Sequence, residues 1–297
     1  MEKQSPKQRL LADSGLMATA IIWGSNFVVV KNTLDQVPPM LFLGLRFGIA
    51  FLVVAPFLLS AARRPAHWKG WVKALLTGLV LFGGFATQTL GLAYTTPGMS
   101  GFITGIYVVL VPIFGVFLTR RAPDWRVVAA ALLVVAGLGF LFLRGQAGFG
   151  RGEWLTLACA VFFALHFLAL GRWAKDLDPL FLTAVQLLVT GAASFVAVGF
   201  SGAPALSFSG PAWWAILYAA LLGSVGAYFM QTSAQRYAPA HHTAIILSLE
   251  SLFAAVFSVA WGMEELTVVK LVGFAFIMGG ILLAEWNWRP PAVSDGG

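Results

Sequence analysis

Charge is scarce in this sequence. Only 10% of its 297 residues are Asp, Glu, Lys or Arg, against about 25% in a soluble domain. Cysteine is scarcer still: Cys159 stands alone, which excludes a disulfide within the chain and any cysteine-based metal cluster. The histidines are few and unfavourably spaced. His241 and His242 are adjacent, so on a helix they face different ways and make no metal pair. No Gly-rich loop ending in Lys-Ser or Lys-Thr is present, which excludes ATP-driven work by this chain. No aspartate pair lies inside an apolar run, and no motif recommends a serine nucleophile partnered by His166. A net charge of +7 suggests nucleic acid at first sight, but no basic stripe with interleaved aromatics accompanies it. The expectation is a protein that is not an enzyme and holds no cofactor, metal or nucleic acid.

Apolar side chains are what the sequence has instead, at 59% of the total. They fall into ten runs of near-spanning length, approximately 14–34, 39–60, 70–92, 97–119, 125–143, 153–173, 179–200, 211–233, 240–262 and 267–287. Each is long enough for a transmembrane helix. The first lacks a small-residue cleavage site and reads as a span rather than a signal peptide. Turn chemistry separates the runs: Val37-Pro38-Pro39, Arg64-Pro65, Thr96-Pro97, Ala122-Pro123-Asp124, Asp178-Pro179, Gly210-Pro211 and Ala238-Pro239. With Met1 in the cytoplasm, fourteen Lys and Arg lie on cytoplasmic segments and four on the opposite side, with Arg46 left inside a span. That asymmetry orients the chain with both termini cytoplasmic. Ten of the eleven tryptophans mark segment ends, as an interfacial belt requires, and Trp23 alone is central. The fold class expected is all-α, an integral membrane protein of ten transmembrane helices in the plasma (inner) membrane.

The two halves repeat. A shift of 143 residues brings Trp71 onto Trp214, Gln88-Thr89 onto Gln231-Thr232, Tyr94 onto Tyr237 and Gly137 onto Gly280. Nearer the start the offset is 140, and Ala20 meets Ala160, Phe27 meets Phe167, and Pro39 meets Pro179. Five spans per unit is an odd number, so the units cross the membrane in opposite senses. Inverted repeats of this kind suggest alternating access around a midplane site. The organisation read from this is a tail at 1–13, basic and disordered in character, repeats at 14–146 and 147–287, and a cytoplasmic tail at 288–297.

Several stretches carry a family resemblance: Ile22-Trp23-Gly24-Ser25-Asn26-Phe27, Leu45-Arg46-Phe47, Ala93-Tyr94-Thr95-Thr96-Pro97-Gly98, Leu249-Glu250, Gly262-Met263-Glu264-Glu265-Leu266-Thr267, and the Gly273, Gly279-Gly280 pattern. Through them the chain resembles the EamA-like family of the drug/metabolite transporter superfamily, over roughly residues 14 to 287. The resemblance implies a ten-helix carrier in which the first four helices of each repeat surround a cavity and the fifth and tenth are peripheral. One position departs: the family often has proline after the glutamate, where this chain has Ser251, which puts a helix break there in doubt.

Glu250 is the acid that cannot easily reach water. An ionised carboxylate at bilayer depth costs several kcal/mol, or the group takes up a proton. Two readings stay open: proton exchange during transport, or a hydrogen-bonded carboxyl joining helices. The 143 shift places it opposite Tyr107. Gly101-x-x-x-Gly105 and Ala244-x-x-x-Ser248 flank these positions and read first as close packing. Trp23 and Asn26, three apart, share a helical face suited to a planar or amphipathic solute; Phe163 and His166 occupy the related positions. Tyr228 and Gln231 pair likewise, with Gln88 as the repeat mate of Gln231; the two glutamines sit toward opposite membrane sides and read as gate or cavity-edge contacts. Arg46, whose repeat mate is Gln186, either snorkels to the surface, or pairs with a carbonyl, with Glu250 or with a substrate carboxylate. Glu264 and Glu265 read as solvated loop charges, with Thr267 capping the last helix.

The expected function is secondary transport of small organic metabolites (amino-acid-like, nucleobase-like or amphipathic), exported by proton-coupled alternating access. The alternatives are uptake or facilitated diffusion without protons, or a non-transporting membrane enzyme or scaffold. The partners expected are a small-molecule substrate, protons and the lipid bilayer. The Gly279-Gly280 face suits either a homodimer contact or packing within the chain.

Overall fold

A computed structural model of the chain describes residues 6–59, 67–119, 125–143, 150–201, 208–236 and 240–285. The turns at Arg64-Pro65, Ala122-Pro123-Asp124 and Ala238-Pro239, the tails at 1–5 and 286–297, and Trp286 and Trp288 lie outside the described residues. Within them the secondary structure is entirely helical: α1 (Pro6–Thr33), α2 (Pro39–Val54) with a 3-10 extension (Ala55–Leu59), α3 (Trp68–Leu92), α4 (Pro97–Gly105), α5 (Tyr107–Thr119), α6 (Trp125–Leu143), α7 (Arg151–Trp173), α8 (Pro179–Ser201), α9 (Gly210–Ala220), α10 (Ala227–Gln235), α11 (Ala240–Ala260) and α12 (Val268–Glu285). Only Ile106 separates α4 from α5, and a π-helical turn, Leu221–Gly226, joins α9 to α10.

The helices begin where local chemistry supplies partners for their first N–H groups. Thr96 Oγ1 accepts from Met99 N, with Pro97 opening α4. Asp178 Oδ1 accepts from Leu180 N and Phe181 N at 3.0 Å each, and Ser209 Oγ accepts from Ala212 N. Thr267 Oγ1 caps α12 by accepting from Lys270 N. α11 ends at Ala260, and the turn that follows holds Gly262, whose φ of 67° suits a residue with no Cβ.

Eight helical stretches among the described residues are long and apolar enough to cross a membrane; α6 and α12 carry shorter apolar stretches, Val128–Gly137 and Val268–Gly280. The exposed side chains of the belt include Trp68, Trp125, Trp154 and Trp214, which fits lipid-facing rather than core positions.

α1 packs on α11, α7 on α4 and α5, α3 on α7 and α8, and α2 on α8; α6 pairs mainly with α12. Glycines permit the close approaches. A Cβ at Gly24 would lie 3.0 Å from the carbonyl of Glu250, and one at Gly137 would lie 2.7 Å from the carbonyl of Gly273. Gly280 faces Ala130 and Val134 of α6, whereas Gly279 faces open space. Half of the Gly279-Gly280 face is therefore occupied within the chain.

Two expectations need correction. The start is not disordered as far as Asp13: α1 begins at Pro6. Asp13 Oδ1 is 2.9 Å from His242 Nε2, which ties this part of α1 to the start of α11. Glu264 is not a solvated loop charge. It is 8% exposed, lies 2.9 Å from Lys270 Nζ, and accepts from Thr96 Oγ1 and Ser258 Oγ at 3.1 Å each. Gly98 leaves space for its carboxylate, which a Cβ there would strike. The side chain thus joins the ends of α4, α11 and α12. Glu265 is exposed, as expected.

Candidate substrate cavity

α1, α3, α5, α7, α10 and α11 supply most of the wall of one central cavity, and α2 contributes Arg46. Nine of the ten residues singled out from the sequence line it: Trp23, Asn26, Arg46, Gln88, Tyr107, His166, Tyr228, Gln231 and Glu250. Gln186 lies one layer behind and reaches the cavity through His166. The free volume is about 40 Å³, room for roughly one or two water molecules. A metabolite therefore enters only if the walls move.

Those walls are aromatic. Trp23 packs on Tyr228 with ring centroids 5.2 Å apart, Phe85 on Phe163 at 5.4 Å, and Tyr107 stacks on Phe167 at 4.8 Å. Aromatic pairs at such distances contribute about 0.5–1.5 kcal/mol beyond area burial. Phe27, Phe85 and Phe167 also line the cavity, and sequence reasoning did not single them out as site residues. Phenylalanines are abundant in this chain, so only their convergence in space marks these three.

Arg46 is 3% exposed, so it does not snorkel. Its Nε donates to Ser224 Oγ at 2.8 Å and its Nη2 to the Gly223 carbonyl at 3.0 Å. The guanidinium also lies over Phe85, 4.8 Å from the ring centroid, and near Phe47 at 5.0 Å. Two charge-assisted bonds at about 1.5–3 kcal/mol each and a cation–π term of up to about 2 kcal/mol offset a desolvation cost of several kcal/mol. No carboxylate lies within ion-pair distance of Arg46 among the described residues. Its charge is held by dipoles and rings, not by Glu250.

The acceptor for Arg46 comes from the π-helical turn. Widening the helix there leaves carbonyls off the regular ladder, and Gly223 O takes Trp23 Nε1 at 2.9 Å as well as Arg46. Gly223 needs its missing side chain: a Cβ there would meet the Asn26 amide and lie 3.2 Å from Arg46 Nη2. Nothing in the hydrophobicity pattern signalled this turn. The small pair Gly223-Ser224 inside an apolar run was the available clue.

Glu250 is 4% exposed and lies beside the Tyr107 hydroxyl, which has no hydrogen bond of ordinary geometry. α11 runs unbroken through Ser251. Ser251 Oγ instead donates to the Gly101 carbonyl at 2.7 Å, where α11 packs on α4. Asn26, with both amide atoms, His166 with Nδ1, and Gln231 with Oε1 are likewise buried without partners. Gln88 Nε2 has only a long contact, 3.4 Å, to Thr104 Oγ1. Buried polar atoms are normally satisfied, so this concentration around one cavity fits a place where water or solute completes the bonding.

The sequence profile of the EamA-like transporter family matches residues 10–143 and 150–286. The chain belongs to the EamA-like transporter family. An uncharacterised transporter of Archaeoglobus fulgidus is 36% identical over 285 residues, covering 94% of this chain and 87% of that protein. The uncharacterised transporter YetK of Bacillus subtilis is 30% identical, covering 96% and 90%. The aromatic amino acid exporter YddG of Ancylobacter novellus is 30% identical over 169 residues, covering 53% of this chain and 57% of that one. A solved crystal structure shares the fold at a TM-score of 0.70 with 23% identity, over 94% of this chain and 97% of that one. This EamA-like protein is thus a multi-pass membrane transporter and not an enzyme.

Proposed function

We propose that this EamA-like protein is a secondary carrier that exports small organic solutes with a planar or amphipathic body, coupled to protons through Glu250. The observation that carries the reading is the cavity itself. Three residues with unpartnered buried polar atoms, Asn26, His166 and Gln231, and the Tyr107 hydroxyl beside Glu250 surround it together with one cation and a set of aromatic rings. Apolar walls with a few convergent polar groups are the usual make-up of a small-molecule site. A single buried cation is poorly suited to phosphorylated solutes, which need several Lys or Arg contacts.

The frame proposed is ten spans in two inverted units, 14–146 and 147–287, with both termini cytoplasmic. The two stretches matched by the family profile support it. So does the packing: exchanging the helices of one unit for those of the other maps α1 on α11 onto α7 on α4 and α5, and leaves α2 on α8 and α6 on α12 paired as before. Such a frame suits alternating access around a midplane site. The narrowness of the cavity agrees with a cycle in which walls part on one side at a time. Outward direction is supported by the likeness to the Ancylobacter aromatic amino acid exporter, and inner-membrane residence by the likeness to the inner membrane transporter YedA of Escherichia coli, 26% identical over 234 residues.

Flux into proteoliposomes, with and without an imposed pH gradient, tests this. Aromatic and amphipathic solutes should accumulate in response to the gradient. Glu250→Gln should lose that gradient response by more than tenfold while retaining exchange of solute for solute. Gradient-driven flux unchanged in Glu250→Gln would sink the proton role.

A further inference from the structure

His166 is fully buried, and its two ring nitrogens meet different surroundings. Nε2 lies 2.6 Å from Gln186 Oε1. Gln186 Nε2 is already committed as a donor to the Leu182 carbonyl at 3.1 Å. Reversing the Gln186 amide would set its oxygen against that carbonyl oxygen, two acceptors facing each other. The amide oxygen therefore points at His166, and an oxygen without a proton can only accept. His166 Nε2 must then carry the hydrogen, so in the neutral ring Nδ1 is a bare acceptor. Nδ1 is buried and has no partner in the protein, on a residue that lines the cavity. Gln231 Oε1, another unpartnered acceptor, and the Glu250 carboxyl line the same cavity.

Asn26, Tyr107 and Tyr228, which also line the cavity, each carry both donor and acceptor capacity. Arg46 and Trp23 donate, and both converge on the Gly223 carbonyl. The donors of Arg46 and Trp23 are thus engaged within the protein, while His166 Nδ1 on α7 is left as a bare acceptor. An acceptor left bare in an apolar wall discriminates strongly, because a solute without a matching N–H strands it.

We propose that Gln186 is a positioning residue that fixes His166 as the Nε2–H tautomer, and that His166 Nδ1 accepts a hydrogen bond from an N–H group of the transported solute, an amine or ammonium. This inference rests on the cavity being the solute site. It deepens that reading by assigning the solute an N–H donor and by naming the residue that selects for it.

Two measurements test it. Nitrogen-15 spectra of histidine-labelled protein in lipid nanodiscs, at neutral pH, should show one ring protonated at Nε2 alone, a signal absent from His166→Phe. If the signal lost in His166→Phe is that of a ring protonated at Nδ1, or at both nitrogens, the proposal is overturned. Calorimetric binding should compare phenylalanine with 3-phenylpropanoate, which lacks only the ammonium. Wild-type protein should prefer phenylalanine by about ten- to a hundredfold, the worth of one hydrogen bond to a charged group. His166→Phe should lower that preference at least tenfold, as should Gln186→Leu, which frees the tautomer. Equal affinity for the two solutes in wild type, or an unaltered preference in His166→Phe, overturns the proposal. Binding of neither solute overturns the cavity reading instead, and the nitrogen spectra still decide the tautomer.

Discussion

The two stretches matched by the family profile, 10–143 and 150–286, differ in their hydrogen bonding. In the first, Trp23 and Arg46 reach across to the π-helical turn at Leu221–Gly226 and share the Gly223 carbonyl. In the second, the related positions hold Phe163 and Gln186. Gln186 bonds within its own unit, to His166 and to the Leu182 carbonyl. The stretch of α3 related to the π turn is regular helix. The reverse asymmetry appears one span later: α4 and α5 part at Ile106, while α11 runs straight through the related residue. Packing glycines such as Gly137 and Gly280 keep the symmetry, since close helix contact requires the same small residue in both units. The departures cluster at the cavity. A symmetric cavity would present the same groups twice; this one sets a cation, Arg46, on α2 and a bare acceptor, His166 Nδ1, on α7.

The largest effect should come from erasing the difference at Arg46. Arg46→Gln copies the residue at the related position, removes a cation, takes away the donor to Ser224 Oγ and leaves the Gly223 carbonyl to Trp23 alone. A loss of about 2–4 kcal/mol in stability and a fall in flux of more than tenfold are expected, read by thermal unfolding in detergent and by proteoliposome uptake. If Arg46→Gln transported normally, the asymmetry would be incidental.

Gly223→Ala should come next. Its methyl group would strike the Asn26 amide, and overpacking of this kind costs about 1–3 kcal/mol. Val80→Ala, at the related position of α3, should transport within about twofold of wild type, since it loses only packing atoms from a half-buried site. Equal effects of the two would remove the special standing given to the π turn.

Ser251→Val should be the mildest. It copies Val108, the repeat mate, and removes only the bond to the Gly101 carbonyl. About 1 kcal/mol of stability should go, with transport largely kept. A collapse of transport would show that the α4–α11 contact works in the cycle rather than in packing alone.

Much of the site was legible because cost singles residues out. Glu250, Arg46 and His166 are expensive in an apolar run, and the repeat offset set Tyr107 opposite Glu250 before any coordinates. Partners were less legible. Glu264 read as a loop charge because it follows Gly262-Met263 in a short turn, yet Lys270, Thr96 and Ser258 close around it. Thr96 comes from the start of α4, 168 positions away, and sequence distance gives no measure of that. Arg46 had several candidate partners, and the choice of a carbonyl depended on a helix defect that no hydropathy pattern records.

The sequence by itself determined the solvent and the periodicity. Long apolar runs with few charges require a bilayer, backbone bonding in lipid makes such runs helices, and a repeat offset near 143 residues agrees with the two stretches that the family profile matches. The tertiary structure alone decided which polar atoms meet and which are left without partners. That follows from physics. Burial cost is a property of a residue and its run, whereas satisfaction of a donor or acceptor is a property of two residues brought together, here often more than a hundred positions apart.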